Sequence, residues 1–378
     1  MKAGIFHVPY MRPERKGKET FDWSMRCAVE ADKVGFSDFM VGEHATQAWE
    51  NVPSPEIVIG AAAYLTERIR FAPMAHLLPL HLPGSLAIQI GWLSQVLEGR
   101  YFLGVGTGAY GRDAMLRGQP EDLSEAHPRT MEALEVIRKI WKREPFEFEG
   151  EFYEAAFPDV HSEGVPGVDS SEGEEVHTMS DFTPWDGPQG PEIAVTGLSR
   201  NSPSLKWAGE NGFTPISFFG GSALQSSHWD TYAAAAEANG HQTDRANFKV
   251  CRDIFIADTD AEAKRRAVDG ALGYCWQKYL IPIYKRFGIF EGYLADSGTG
   301  ITAGEVDMDF LAEHVWLCGS PETVVKKLED TVERAGGFGT VCMNTHDSID
   351  DPEPWFESMR RLATEVAPKV AISASTTA

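Results

Sequence analysis

Four short segments carry side chains whose types and spacing could do chemistry. The first is Glu43-His44, directly behind the apolar run at residues 39–41. Histidine is the side chain best suited to proton transfer near neutral pH, although the same position would suit a histidine that satisfies loop carbonyls. The second is the glycine run at residues 104–111, with Gly104, Gly106, Thr107, Gly108, Tyr110 and Gly111. A dinucleotide fingerprint needs a helix opening at its glycines and a ribose-binding acid about 20 residues on. Residues 112–120 are turn-rich and predict no early helix, so the run reads as a loop that lets a ligand approach the backbone.

The third segment, residues 196–204, holds Thr196, Gly197, Ser199, Arg200, Asn201 and Ser202 just before Pro203. Backbone N–H groups and a helix dipole at that point can hold an anion. Hydroxyls and a guanidinium suit a phosphate monoester, and the bland alternative is an over-capped helix start. The fourth is Met74-Ala75 at the end of an apolar run, where small residues could wall a planar ring. His76 and His81 lack metal spacing, and no HExxH or CxxC pattern occurs, so no metal centre is predicted. The five scattered cysteines read as reduced core thiols of a cytoplasmic protein.

Short apolar runs alternate with amphipathic stretches along the whole chain. Strands are predicted at 3–8, 39–41, 69–75, 101–106, 193–196, 213–218, 249–257 and 340–344. Between them, Thr20 caps a helix that Gly35 ends, and Ser54-Pro55-Glu56 opens another. Further helices run over 85–97, from His127-Pro128 to Arg143, after Ser202-Pro203, over 233–238, and from Ser320-Pro321-Glu322 to Gly336-Gly337. Eight such units predict an α/β fold, a closed (β/α)8 TIM barrel over 1–378, with its chemistry at the C-terminal strand ends.

Two insertions interrupt the rhythm, after strands four and seven. The first, at 144–190, belongs to a stretch (144–199) with 14 acids and no Lys or Arg. Its start predicts a strand pair around Gly150, and residues 161–190 an irregular loop. The second, at 270–312, is helical and rich in aromatics such as Tyr274, Trp276, Tyr279 and Tyr284. Such insertions commonly cover a barrel mouth or make subunit contacts.

The 378 residues include 34 Lys plus Arg and 56 Asp plus Glu, a net charge of −22. That excess argues against nucleic-acid binding and against docking on an anionic membrane. It is uneven: outside the cation-free stretch the balance is 34 − 42 = −8. No apolar run approaches the ~18 residues of a membrane span, and the N-terminus does not read as a signal peptide.

Taken together, Gly42-Glu43-His44 and the runs at 98–106, 135–141, 148–153 and 196–204 resemble the bacterial luciferase-like family of flavin-dependent monooxygenases. Residues 47–51, 71–79, 91–95 and 350–356 are similar to its diketocamphane branch, which are type II Baeyer–Villiger monooxygenases. The resemblance implies a homodimeric barrel that uses FMN as FMNH2, supplied by a separate NADH:FMN reductase. It implies a camphor-derived cyclic ketone and O2 as substrates and a lactone as product. It also implies catalytic roles for His44 and Tyr110, and a non-proline cis peptide at Met74-Ala75 beside the flavin ring. Gly106, Thr107 and residues 196–202 then complete the cofactor site. Thr107 stands where the family often has an arginine, which shifts the phosphate charge toward Arg200. Related barrels oxidise aldehydes, sulfonates or terpenes, use a deazaflavin, or bind flavin without catalysis, and those remain the alternatives.

Overall fold

The computed structural model describes residues 1–157, 180–218 and 220–373. Most of the predicted loop at 161–190 therefore lies outside the described residues. Strands β1 (Lys2–His7), β2 (Asp38–Val41) and β3 (Arg70–Pro73) pair in parallel, separated by helices α1 (Gly17–Val34) and α2 (Pro55–Ala63). The first helix opens earlier than predicted: Glu19 accepts the Lys16 N–H at 2.9 Å, and Thr20 lies inside the first turn. Helix α3 (Pro83–Leu97) connects the short β4 (His76–Leu77) to β5 (Leu103–Gly106).

The predicted third strand, 69–75, stops at Pro73 as β3, and the short β4 lies just beyond its predicted end. A cis peptide joins Met74 to Ala75 and separates β3 from β4. Thereby β3 pairs with β2 on one side, and β4 pairs with β5 on the other, His76 opposite Val105 and Leu77 opposite Gly106. Nine strands thus fill eight barrel positions, and a bridge between Phe71 and Tyr101 ties the lower seam.

Helix α4 (Gly111–Leu116) follows β5, where turns alone were expected. It is six residues long and begins with glycine, so it has no periodicity to read. The long α5 (Ala126–Lys142) leads to the antiparallel pair β6 (Phe146–Glu149) and β7 (Glu154–Phe157), which turns around Gly150 as predicted. Then come β8 (Ile193–Gly197), α6 (Pro203–Asn211), β9 (Thr214–Ser217) and α7 (Ser222–Ala238). Ser202 caps α6 through the Leu205 N–H, and Gly212 ends it in a left-handed conformation.

The predicted seventh strand divides into β10 (Lys249–Arg252), a barrel member, and β11 (Ile254–Ile256). The latter leaves the barrel to pair with β12 (Leu317–Gly319). Between these two come α8 (Asp260–Asp269), α9 (Ala271–Cys275), α10 (Ile281–Phe287), α11 (Phe290–Ser297) and α12 (Met308–Phe310), the helical insertion. Its aromatic side chains Trp276, Tyr279, Tyr284, Phe290 and Tyr293 are buried. Helix α13 (Pro321–Ala335), strand β13 (Thr340–Asn344) and α14 (Glu353–Arg361) complete the chain, and β13 closes the barrel between β1 and β10.

Apolar side chains fill the barrel, as its near-continuous hydrophobic strands require. At its N-terminal end a buried ion pair, Lys249 Nζ to Asp38 Oδ2 at 2.9 Å, sits beside Arg70 and Phe102. Charges there serve the fold; the open end is elsewhere. All five cysteines are buried and unpaired, and no helix among the described residues is long and apolar enough to cross a membrane.

Candidate active site

A cavity of about 500 Å³ opens at the C-terminal ends of the strands, within the usual range for small-molecule sites. It brings together His44, Met74, Ala75, Gly106, Thr107, Tyr110, Thr196, Ser199 and Ser202 from four separate strand ends. Gly197 is buried but does not line it. Arg200 and Asn201 are exposed and lie outside its lining, with Asn201 at φ +53° and bonded to Ser227. The expected guanidinium is therefore not in the cavity wall, which among the described residues contains no Lys or Arg.

The cavity lining combines apolar side chains, among them Phe6, Val8, Ala75, Leu77, Phe218 and Ile283, with the hydroxyls of Thr107 after β5 and of Thr196, Ser199, Ser202 and Ser204 in the segment that opens α6. That segment is held from behind by His228, whose Nε2–H donates to the Ser199 carbonyl at 2.9 Å while Nδ1 accepts from Ser217 at 2.8 Å. Burial pushes the His228 pKa down to about 4, against a smaller opposing pull from that carbonyl. The ring is neutral near pH 7, which fixes the tautomer needed for both bonds.

The floor is built from backbone. Gly106 lies beneath the cis peptide, where a Cβ would stand 3.0 Å from the Ala75 Cβ and 3.2 Å from Leu77 Cδ2. Glu43 anchors this floor from below: it accepts the Leu77 N–H at 3.2 Å and contacts His81 Nε2 and Arg117 Nη2, each at 2.8 Å. His76 Nδ1 lies 3.5 Å away. Burial would raise the Glu43 pKa, but the His76 and His81 rings outweigh it and hold the carboxyl well below its ordinary range. Glu43, His76 and His81 form a cluster that sequence spacing did not reveal. A cation placed among them would face the Arg117 guanidinium.

His44 stands between two carboxylates. Its Nε2 is 3.1 Å from Glu50 Oε2 and its Nδ1 is 3.4 Å from Asp113 Oδ2. Asp113 also accepts the Thr46 N–H at 2.7 Å. The Tyr110 ring meets the imidazole edge-on, with centroids 5.2 Å apart. Burial alone would lower the His44 pKa, yet Asp113, Glu50 and Glu43 together raise it above the ordinary value. Asp113, for its part, is held below the carboxylate range against its burial, mainly by His44 and Thr46. Glu50, by contrast, is pushed up by burial. Its Oε1 accepts the Tyr279 hydroxyl at 2.8 Å, and burial followed by the Glu50 charge pushes Tyr110 up to about 12.

Glu50, Asp113 and Tyr279 were not among the site residues expected from sequence. Asp113 could have been found, because it lies three residues after Tyr110 and one helical turn brings the two to one face. Tyr279 had no such signal, being 229 positions from the carboxylate it meets.

Comparison with known proteins bears on this cavity directly. Residues 1–337 match the family described as luciferase-like monooxygenase. The chain is 56% identical over 370 residues to 2,5-diketocamphane 1,2-monooxygenase 1 of Pseudomonas putida, covering 98% of this chain and 99% of that protein. It is 46% identical to 3,6-diketocamphane 1,6-monooxygenase of the same organism, covering 98% of each. A solved structure with TM-score 0.90 and 46% identity, covering 99% of both chains, is the oxygenating constituent of 3,6-diketocamphane monooxygenase from the CAM plasmid of Pseudomonas putida in complex with FMN. It is described as a type II Baeyer–Villiger monooxygenase.

Proposed function

Because this chain belongs to the luciferase-like monooxygenase family, we propose that it is the oxygenating component of an FMN-dependent Baeyer–Villiger monooxygenase. Its substrate is a camphor-derived bicyclic diketone, and its product is the lactone. The observation that carries this reading is a cavity that joins apolar walls to a hydroxyl-rich segment at the opening of α6. FMN carries matching groups, a planar ring and a ribityl phosphate. Reduced FMN, when bound there, supplies the electrons and activates O2.

This chain's own residues do the rest. Ala75, Met74 and Gly106 present a flat surface to the ring. Thr107, Thr196, Ser199 and Ser202 offer hydroxyls to the phosphate, and the N-terminus of α6 adds its dipole. Arg200 and Asn201, at the rim, supply charge and amide only from outside. The apolar wall excludes water and suits a terpenoid ketone. His44 and Tyr110 stand where protons must be held during oxygen insertion. Per turnover one oxygen atom enters the ring and the other leaves as water.

Chemically reduced FMN plus O2, without NADH, is expected to convert a 2,5- or 3,6-diketocamphane to lactone detectable by mass spectrometry. If no bicyclic ketone yields lactone under those conditions, the assignment is wrong. The same assay bears on the electron source: a separate NADH:FMN reductase fits the glycine run, in which Gly104 and Gly106 pack against Met74 and Ala75 and the helix that Gly111 opens is only six residues long.

Homodimer formation is part of the reading. Ile88 and Trp92 lie one turn apart on α3, 48% and 59% exposed, with Leu82 just before the helix 70% exposed and Ile57 and Tyr64 exposed around α2. Apolar faces of this kind mark interaction surfaces. Light scattering should give twice the 41.7 kDa chain mass, and Trp92→Glu should give the single-chain value. A monomeric wild type would remove the dimer. The buried free thiols support a reducing, cytoplasmic setting.

A further inference from the structure

The pair formed by His44 and Glu50 is not explained by the reaction outlined above, which asks only for a histidine near the substrate. Both ring nitrogens of His44 are already within reach of protein carboxylates, Nε2 of Glu50 at 3.1 Å and Nδ1 of Asp113 at 3.4 Å. Those two acids come from different elements and differ in surroundings. Asp113 sits on α4 and is tied to the Thr46 N–H at 2.7 Å, which favours its charged form. Glu50 sits in the loop before α2, is 8% exposed, and has one further partner, the Tyr279 hydroxyl at 2.8 Å. Tyr279 belongs to the helical insertion, stacks on Trp49 at 5.5 Å, and neighbours the Tyr110 hydroxyl. A continuous polar path therefore runs from Asp113 through His44, Glu50 and Tyr279 to Tyr110, along one wall of the cavity.

We propose that Glu50 is a positioning residue for His44: it holds Nε2 so that the imidazole donates to two carboxylates at once, and it links that ring through Tyr279 to Tyr110. An imidazole held this way keeps its orientation and its positive charge, because each N–H has a carboxylate acceptor. Asp113 supplies the permanent negative charge. Glu50, braced by a phenol, adjusts it. The other titratable groups facing this pair are Glu43, next to His44 in sequence, and, beyond Glu50, the phenols of Tyr10 and Tyr284 and the buried Cys275 thiol, which burial also pushes up. Glu43 already meets His81 and Arg117 at 2.8 Å each. Both distant phenols are buried and held well above their ordinary titration range, chiefly by burial. Neither changes charge in the range where His44 does.

This inference rests on the monooxygenase reading for its catalytic meaning, and its test includes a readout that does not. In protein labelled with ¹⁵N-histidine, with His44→Asn used to assign the resonance, the His44 titration is followed in wild type, Glu50→Gln and Tyr279→Phe. Removing the Glu50 charge should lower the His44 midpoint by about one pH unit. Tyr279→Phe should lower it by less, because Glu50 loses the donor that favours its charged form. The alkaline limb of lactone formation with chemically reduced FMN should move the same way, with kcat reduced more than KM is raised. Glu50→Asp should restore part of the shift. An unchanged His44 midpoint in both Glu50→Gln and Tyr279→Phe overturns the proposal. A shifted midpoint in a protein that makes no lactone supports it and removes the monooxygenase reading instead.

Discussion

Alanine at position 44 is expected to lower lactone formation by roughly 10²–10³, the range set by one positioned acid–base group. Among the described residues no Arg or Lys lines the cavity, and of its two histidines, His44 and His127, His44 is the one held between two carboxylates. Its removal leaves Glu50 and Asp113 close together without a counter-charge, so one of them must take up a proton. The effect should fall on kcat. FMN affinity should change little, because His44 stands on the β2 connection and the hydroxyls lining the cavity come from other loops. His44→Asn keeps a polar group of similar reach but cannot hold the charge, and it should be nearly as slow. Turnover equal to wild type in either variant would remove His44 from the chemistry.

The sign of its pH dependence follows from the direction of the shift. Neighbouring carboxylates raise the His44 pKa above 6.5, so the charged ring is favoured in the folded protein. Any rate or stability that depends on imidazolium is fully present below that ordinary value. It is lost as pH rises through the higher folded value. His228 behaves oppositely: burial pushes it down to about 4. The bond its Nδ1 accepts from Ser217 persists at neutral pH and fails as pH falls through the folded value, whereas the Nε2–H bond to the Ser199 carbonyl is kept in either state.

The barrel was legible because its strands are short apolar runs separated by helices with strong stop signals. Gly35, Gly212 and Gly336 each end a helix in a left-handed turn, where a side chain would be strained. Boundaries failed where a local rule was overridden. The third strand reads as one apolar run, yet the cis bond redirects it to a different neighbour. Lys16 is a poor cap by type, but Glu19 reaches back to its N–H and starts the helix four residues before Thr20.

Site legibility divides in the same way. Strand-end residues such as His44, Ala75, Gly106 and Thr196 were accessible from sequence because barrel topology carries every strand end to one mouth. Distances between loops were not. Arg200, singled out as the first cation after 56 residues without one, is exposed and lies outside the cavity lining. The partners of His44 come from positions 50, 113 and, through Glu50, 279; only folding brings them together.

Two glycines in β5 should separate the fold's needs from the ligand's. Alanine at Gly104 would place a Cβ 2.0 Å from the Pro73 carbonyl oxygen and 2.8 Å from the Met74 thioether. The first neighbour is backbone of the adjoining strand and cannot swing aside. Gly104→Ala is therefore expected to cost at least about 3 kcal/mol and to lower the melting temperature measurably. Gly106 differs: a Cβ there would stand 3.0 Å from Ala75 Cβ and 3.2 Å from Leu77 Cδ2, contacts that call for a shift of only a few tenths of an ångström. Gly106→Val should consequently fold, with its added methyl groups in the floor of the cavity. FMN affinity, followed by quenching of flavin fluorescence, should weaken at least about tenfold, equivalent to ~1.4 kcal/mol. Wild-type affinity in Gly106→Val would mean that the ring lies elsewhere than against Ala75 and Gly106. The contrast matters more than either value, because a uniformly damaging pair would show only that β5 is tightly packed.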